Sequence, residues 1–172
     1  MCRFSIRYID LADILQAEQW ASYAAWENEN NHLLQLEQIF NKSLLRVPNV
    51  QLWQIYLNYV RRRNSMTAGD TNKSYKIISD SFTFVLDNVG MDKDSGPIWQ
   101  EYINFIKTGP GVIGANGWQD TQKMDALRAA YQKAIAVPSS ALAPLWKEYD
   151  GFEMGLSKIN VRITCLLNSD LH

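Results

Sequence analysis

Trp53-Gln54-Ile55-Tyr56-Leu57-Asn58-Tyr59 sets three aromatic side chains three residues apart. On an α-helix, at about 100° per residue, such a triplet covers a stripe roughly 120° wide on one face, whereas a strand would throw successive members to opposite faces. The stretch therefore reads as a helix with an aromatic face. The same spelling recurs as Trp20-x-x-Tyr23-x-x-Trp26, Trp99-x-x-Tyr102-x-x-Phe105 and Trp146-x-x-Tyr149-x-x-Phe152. Five of the six tryptophans of the 172-residue chain fall in these four segments, so the pattern is a repeat rather than a coincidence of composition. We call the four segments A helices.

A second helical pattern follows each of the first three. Leu36, Ile39, Phe40, Ser43 and Leu44 share one face. Ile77, Ile78, Phe82, Val85 and Leu86 make a more apolar copy between Tyr75 and Val89. Met124 to Val137 repeats it with Leu127, Ala130, Tyr131, Ala134 and Ile135. These B helices have legible stops. Val47-Pro48 and Val137-Pro138 end two of them, because a residue before proline is pushed out of the α region. Val89-Gly90 ends the third, glycine being the other common helix terminator. The A-helix tryptophans Trp20, Trp53, Trp99 and Trp146 lie 33, 46 and 47 residues apart. The two long intervals hold turn-rich insertions at Asn64 to Asn72 and Thr108 to Gln119.

One helical hairpin cannot bury its own aromatic stripe, and stacked neighbours can. The expected fold is all-α, an α-solenoid of antiparallel helix pairs. Its expected divisions are repeats at 18–48, 49–90 and 95–138, a partial repeat with an A helix only at 142–158, an atypical segment at 1–17 and a tail at 159–172 that lacks the pattern. The expected core is Trp20, Tyr23, Trp26, Trp53, Tyr56, Tyr59, Trp99, Tyr102, Phe105, Tyr131, Trp146, Tyr149 and Phe152. The fourth A helix has no B helix to cover it, so apolar surface is expected there.

Composition narrows the function. Seventeen basic against eighteen acidic residues leave a formal charge of −1, which gives no global attraction to nucleic acid. Cys2 and Cys165 belong to no CxxC or Cys/His cluster, so neither a disulfide framework nor a metal site is expected. The segment Met1 to Gln16 carries Arg3, Arg7, Asp10 and Asp13 and lacks a signal peptide's apolar core, and no apolar run reaches membrane-spanning length. The expectation is a protein of a reducing compartment with no membrane association.

An A helix of this spelling, followed by a helix ending Gln132-Lys133-Ala134-Ile135 before a proline, resembles the HAT (half-a-TPR) repeat. Gly117-Trp118-Gln119-Asp120, Met124-Asp125-x-Leu127-Arg128-x-Ala130-Tyr131-Gln132 and Leu145-Trp146-Lys147-Glu148-Tyr149-Asp150-x-Phe152-Glu153-Met154-Gly155-Leu156 narrow it. So does Asn49-Val50-x-Leu52-Trp53-x-x-Tyr56-Leu57-x-Tyr59-Val60-Arg61-Arg62. These phrases look like the fungal form of the family of the 77-kDa subunit of the cleavage stimulation factor, from about Glu18 to Lys158. The resemblance implies a scaffold of pre-mRNA 3′-end cleavage and polyadenylation, partnered by other subunits of that machinery. It implies a nuclear protein, with the cytoplasm as a second location, and only indirect or weak RNA contact. It also implies a longer chain with further repeats and a dimerising half absent here. The break near Lys158 reads as a gene-model fragment. The alternative is an RNA-binding helical repeat, which would need a column of variable polar side chains that the repeats do not show.

Other candidates have plainer readings. Arg61-Arg62-Arg63 is the one concentrated basic run and the possible RNA contact. It also ends an A helix, where cations favour the negative dipole end, and that reading is preferred. Glu27 and Glu153 occupy equivalent positions in different repeats and read as hydrogen-bonding groups rather than catalytic carboxylates. Gly109-Pro110-Gly111-Val112-Ile113-Gly114 spells GxGxxG but follows a helix, not a strand, so it reads as a loop. His32 and His172 stand isolated, and Trp118 is expected to fold back onto the repeats. No catalytic residue, cofactor or metal ligand is assigned, and the chain is not expected to be an enzyme.

Overall fold

The computed structural model describes residues 17–46, 49–65, 71–115 and 117–169, with side chains described up to Leu156. Among the described residues every regular element is an α-helix. The chain divides into two compact units, one ending at Met66 and the other starting at Thr67. The first holds α1 (Ala17–Glu29), α2 (Leu33–Ser43) and α3 (Val50–Ser65). The second holds α4 (Thr71–Val89), α5 (Gly96–Thr108), α6 (Trp118–Ile135) and α7 (Leu142–Ser169). The A helices are α1, α3, α5 and α7, and the B helices are α2, α4 and α6.

In the first unit α1 packs on both α2 and α3. Arg62, near the end of α3, reaches Asn28, near the end of α1, so these two A helices run parallel. Phe40 meets Tyr56 and Tyr59, while the earlier Glu37 meets Tyr59 and the later Arg63, so α2 runs antiparallel to α3. The core here includes Ala24, Leu36, Leu52, Trp53 and Leu57, all sealed from solvent.

The second unit repeats the arrangement. Tyr75 stacks on Phe105 and Phe82 on Tyr102, which makes α4 and α5 antiparallel. Arg128 bonds Glu153 and Tyr131 meets Tyr149, which makes α6 and α7 antiparallel. Phe82, Val85, Ile98, Ile103, Leu127, Tyr131 and Leu145 are fully buried. Burial of this kind is worth about 1.5–3 kcal/mol for each large apolar side chain.

Helix ends follow local chemistry. α4 stops where the sequence put the stop: a Cβ at Gly90 would lie 2.2 Å from the Leu86 carbonyl oxygen, a distance no side chain tolerates. α6 begins earlier than the apolar pattern suggests, at Trp118 rather than Met124, because the Asp120 carboxylate accepts the Gly117 N–H at 3.0 Å and closes the first turn. α7 runs on to Ser169, past the point where the repeat spelling stops.

Candidate interaction surface built on the aromatic column

The repeated triplet makes a repeated interlock. In the first unit Phe40 of α2 lies 5.4 Å from Tyr56 and 5.5 Å from Tyr59 of α3, ring centre to ring centre. In the second, Phe82 of α4 lies 5.3 Å from both Tyr102 and Phe105 of α5. Tyr131 of α6 lies 5.5 Å from Tyr149 and 5.8 Å from Phe152 of α7. Each time, one B-helix ring rests between the second and third aromatics of the next A helix. Tilted and edge-on ring pairs at these distances contribute about 0.5–1.5 kcal/mol beyond the area they bury. The first aromatic leans on the second of its own helix: Trp53–Tyr56, Trp99–Tyr102 and Trp146–Tyr149 stand 6.2, 6.5 and 6.3 Å apart.

The expected core divides by environment. Trp53, Tyr59, Trp99 and Tyr131 are buried. Trp20, Tyr23, Tyr56, Tyr102, Phe105, Tyr149 and Phe152 are half-buried. Trp26 and Trp146 are instead exposed, at 52% and 56%, and do not belong to the core. Trp99 shows how one buried copy is satisfied. Its indole N–H donates to the Gly90 carbonyl at 2.8 Å, and the buried Ser95 hydroxyl donates to the same oxygen at 2.9 Å. α6 ends at Ile135 and leads into Val137-Pro138 with no glycine turn, and among the described residues Trp146 makes no such bond.

Polar groups tie the columns together. Buried Glu27 accepts from the Tyr23 hydroxyl, and burial followed by this bond pushes the Tyr23 hydroxyl up to about 12. The same carboxylate meets His32 Nδ1 at 2.6 Å, so His32 is not isolated as the sequence suggested. The ring of Trp26 meets His32 edge-on at 5.9 Å. Asn31 turns the chain here with a left-handed φ of 57°. In the second unit Lys107 donates to Glu148 at 3.1 Å and sits over the Tyr131 ring, whose hydroxyl also donates to Glu148 at 3.2 Å. Burial pulls the Lys107 ammonium down, but its bonds to Tyr131 and Glu148 outweigh that and leave it raised. Arg128 grips Glu153 with two bonds, 2.7 and 3.2 Å, and this grip holds the Glu153 carboxyl below the ordinary glutamate range.

The basic run is drawn into the first unit. Arg62 donates to the Asn28 carbonyl and side chain at 3.1 and 2.9 Å and to Asn31, and so closes off the end of α1. Arg63 bonds Glu37 and Tyr59. Arg61 is half-buried.

The GxGxxG segment is a loop held by two charged side chains of α6. Lys123, itself buried, donates to the Gly109 and Gly111 carbonyls at 2.8 and 2.9 Å. Asp120 accepts from Val112 and Gly117 at 2.6 and 3.0 Å. A phosphate would need those amides and would meet a carboxylate in their place. The clasp leaves Val112, Ile113 and Trp118 facing solvent. Trp118, 75% exposed, does not fold back: as the first residue of α6 it points away from the covered face. Ile77, Phe84, Met91 and Leu142, with Trp146 and Met154 on α7, are further large apolar groups that the second unit exposes. Among the described residues there is no group of three metal-ligating side chains, and no helix long and apolar enough to cross a membrane.

Parallel A helices interlocked with antiparallel B helices through a recurring ring define the class: a helical-repeat protein, an α-solenoid of helix pairs. Residues 11–165 match the model of the suppressor of forked (Suf) protein family, and the chain belongs to that family. The match takes in residues 159–165, which lie in the tail that lacks the repeat spelling. The chain is 59% identical over 146 residues to the mRNA 3′-end-processing protein rna14 of Aspergillus oryzae, covering 85% of this chain and 14% of that protein. It is 53% identical over 146 residues to the protein of that name in Neurospora crassa, covering 12% of it. In Schizosaccharomyces pombe the corresponding figures are 35% over 144 residues and 19%. The chain thus spans less than a fifth of the length of these relatives.

Proposed function

We propose that this chain serves mRNA 3′-end processing in the nucleus as a protein-interaction scaffold, holding other subunits of the cleavage and polyadenylation machinery. The interlock seen at α2–α3, α4–α5 and α6–α7 carries this reading. It spends most of the triplet aromatics on fixing helix positions, which is what a scaffold must do, and leaves Trp146 with Trp118 and other apolar side chains outward. The names of the relatives supply the process. Among the described residues the polar clusters pair with one another or with loop carbonyls, as Glu27–His32, Arg128–Glu153 and Lys123 do.

RNA contact through Arg61, Arg62 and Arg63 is a weaker second reading, since Arg62 and Arg63 already bond Asn28, Asn31, Glu37 and Tyr59. The test is a binding series with the full chain immobilised and purified fungal cleavage-factor subunits applied one at a time. Binding of at least one subunit that persists with nuclease and weakens in Trp118→Ala supports the scaffold. Binding of no subunit, with tight binding of A/U-rich RNA at physiological salt that vanishes in the Arg61/Arg62/Arg63→Ala variant, would reverse the order of the two readings.

A further inference from the structure

The interlock has a fourth receiving site. On α3, α5 and α7 the second and third aromatics hold a ring from a preceding antiparallel helix. α1 offers the same pair, Tyr23 and Trp26, at the same register. Among the described residues the ring paired with Trp26 is His32, edge-on, and Trp26 is 52% exposed where its counterpart Tyr59 is 6% exposed.

The spacing of the filled sites says where a fourth ring should come from. Phe40 precedes Tyr56 by 16 residues, Tyr131 precedes Tyr149 by 18, and Phe82 precedes Tyr102 by 20. A ring 16–20 residues before Tyr23 would lie between Arg3 and Arg7, and the one aromatic there is Phe4, at 19. Charge agrees with spacing. α1 carries Glu18, Glu27 and Glu29 and no basic residue, while Arg3 and Arg7 flank Phe4. At the filled site on α7, Arg128 near the inserting Tyr131 bonds Glu153, the counterpart of Glu27. Phe4 lies outside the matched residues 11–165, so nothing in the family match assigns it a place.

We propose that the Tyr23/Trp26 face of α1 is the docking site for the chain's own segment Met1–Gln16, which lies outside the described residues, with Phe4 as the inserting ring. The segment then covers the Tyr23/Trp26 face of the first unit. The test places p-benzoylphenylalanine at position 26 of the full chain and maps the adducts formed on irradiation. The expected product is an intrachain adduct at Phe4–Arg7. Phe4→Ala should lower its yield about tenfold, the loss expected when a buried aromatic contact is removed. Phe4→Tyr, which keeps the ring, should restore it, and Tyr8→Ala should leave it unchanged. An adduct elsewhere in the chain overturns the proposal. So does an adduct between a heavy-isotope and a light copy, an equal loss with Tyr8→Ala, a failure of Phe4→Tyr to restore the yield, or no adduct at all.

Discussion

Trp99 and Trp146 occupy the same place in the same spelling, yet one is sealed and the other is 56% exposed. Both lean on a tyrosine three residues later at nearly equal distance. What differs is the end of the helix before each. α4 stops at a glycine turn whose carbonyl faces α5 and takes the indole N–H of Trp99, while α6 runs into Val137-Pro138. The motif therefore fixes a position on the helix but not its cover: the Gly90 turn gives Trp99 a partner, while Trp53 is sealed behind the proline-ended phrase Val47-Pro48.

The largest expected effect follows directly. Trp99→Ala should destabilise the second unit by about 3–5 kcal/mol, the usual range for a large aromatic in a core. Trp146→Ala should cost less than about 1 kcal/mol, as surface substitutions do. Chemical denaturation midpoints measure both, and equal losses would break the distinction.

A smaller loss should follow Gly90→Ala. The new Cβ would press on the Leu86 carbonyl at 2.2 Å, and the turn that accepts Trp99 must shift. We expect about 1–3 kcal/mol, the range for strain and a disturbed buried bond. Trp99 fluorescence should move to the red, and an unchanged spectrum would separate the turn from the tryptophan.

Tyr131→Phe keeps the inserting ring of the α6–α7 interlock and removes the hydroxyl's bonds to Glu148 and Lys107. The expected cost is about 0.5–1.5 kcal/mol by thermal melting, against several for Tyr131→Ala.

The smallest effect concerns acid. The bond from Arg128 holds Glu153 below its ordinary value of 4.5. A carboxyl lowered in the folded state stabilises above its unfolded value and loses that contribution as the pH falls through the lowered folded one. Arg128→Ala should thus leave a slightly flatter stability profile below about pH 4.5, and little change at neutrality because the pair is about a third exposed. A parallel profile would show that another group carries the acid limb.

Much of this was legible in the sequence. The triplet spacing located all four A helices and Gly90 located the end of α4, whereas α2 and α6 stop short of their prolines, at Ser43 and Ile135. Apolar surface on the fourth A helix was expected from its missing B helix, but that Trp26 and Trp146 would be the exposed members was not legible, because a periodic stripe tells which side chains share a face and not which of them another helix covers. The same blindness hid the Glu27–His32 pair, a contact across a turn that no helical period reports, although Glu27 recurring at the register of Glu153 was the available signal. Trp118 misled because a tryptophan beside glycines looks like something a loop must bury. Asp120 starts the helix before that can happen.

The clasp on that glycine-rich loop has a consequence for exchange with deuterium. Val112 and Gly117 send their amides to one carboxylate, while Lys123 grips the carbonyls of Gly109 and Gly111. A stretch whose composition promises uniformly fast labelling should instead hold two slow amides. In Asp120→Asn, where the acceptor loses its charge, both should label faster together, as one latch rather than two separate bonds.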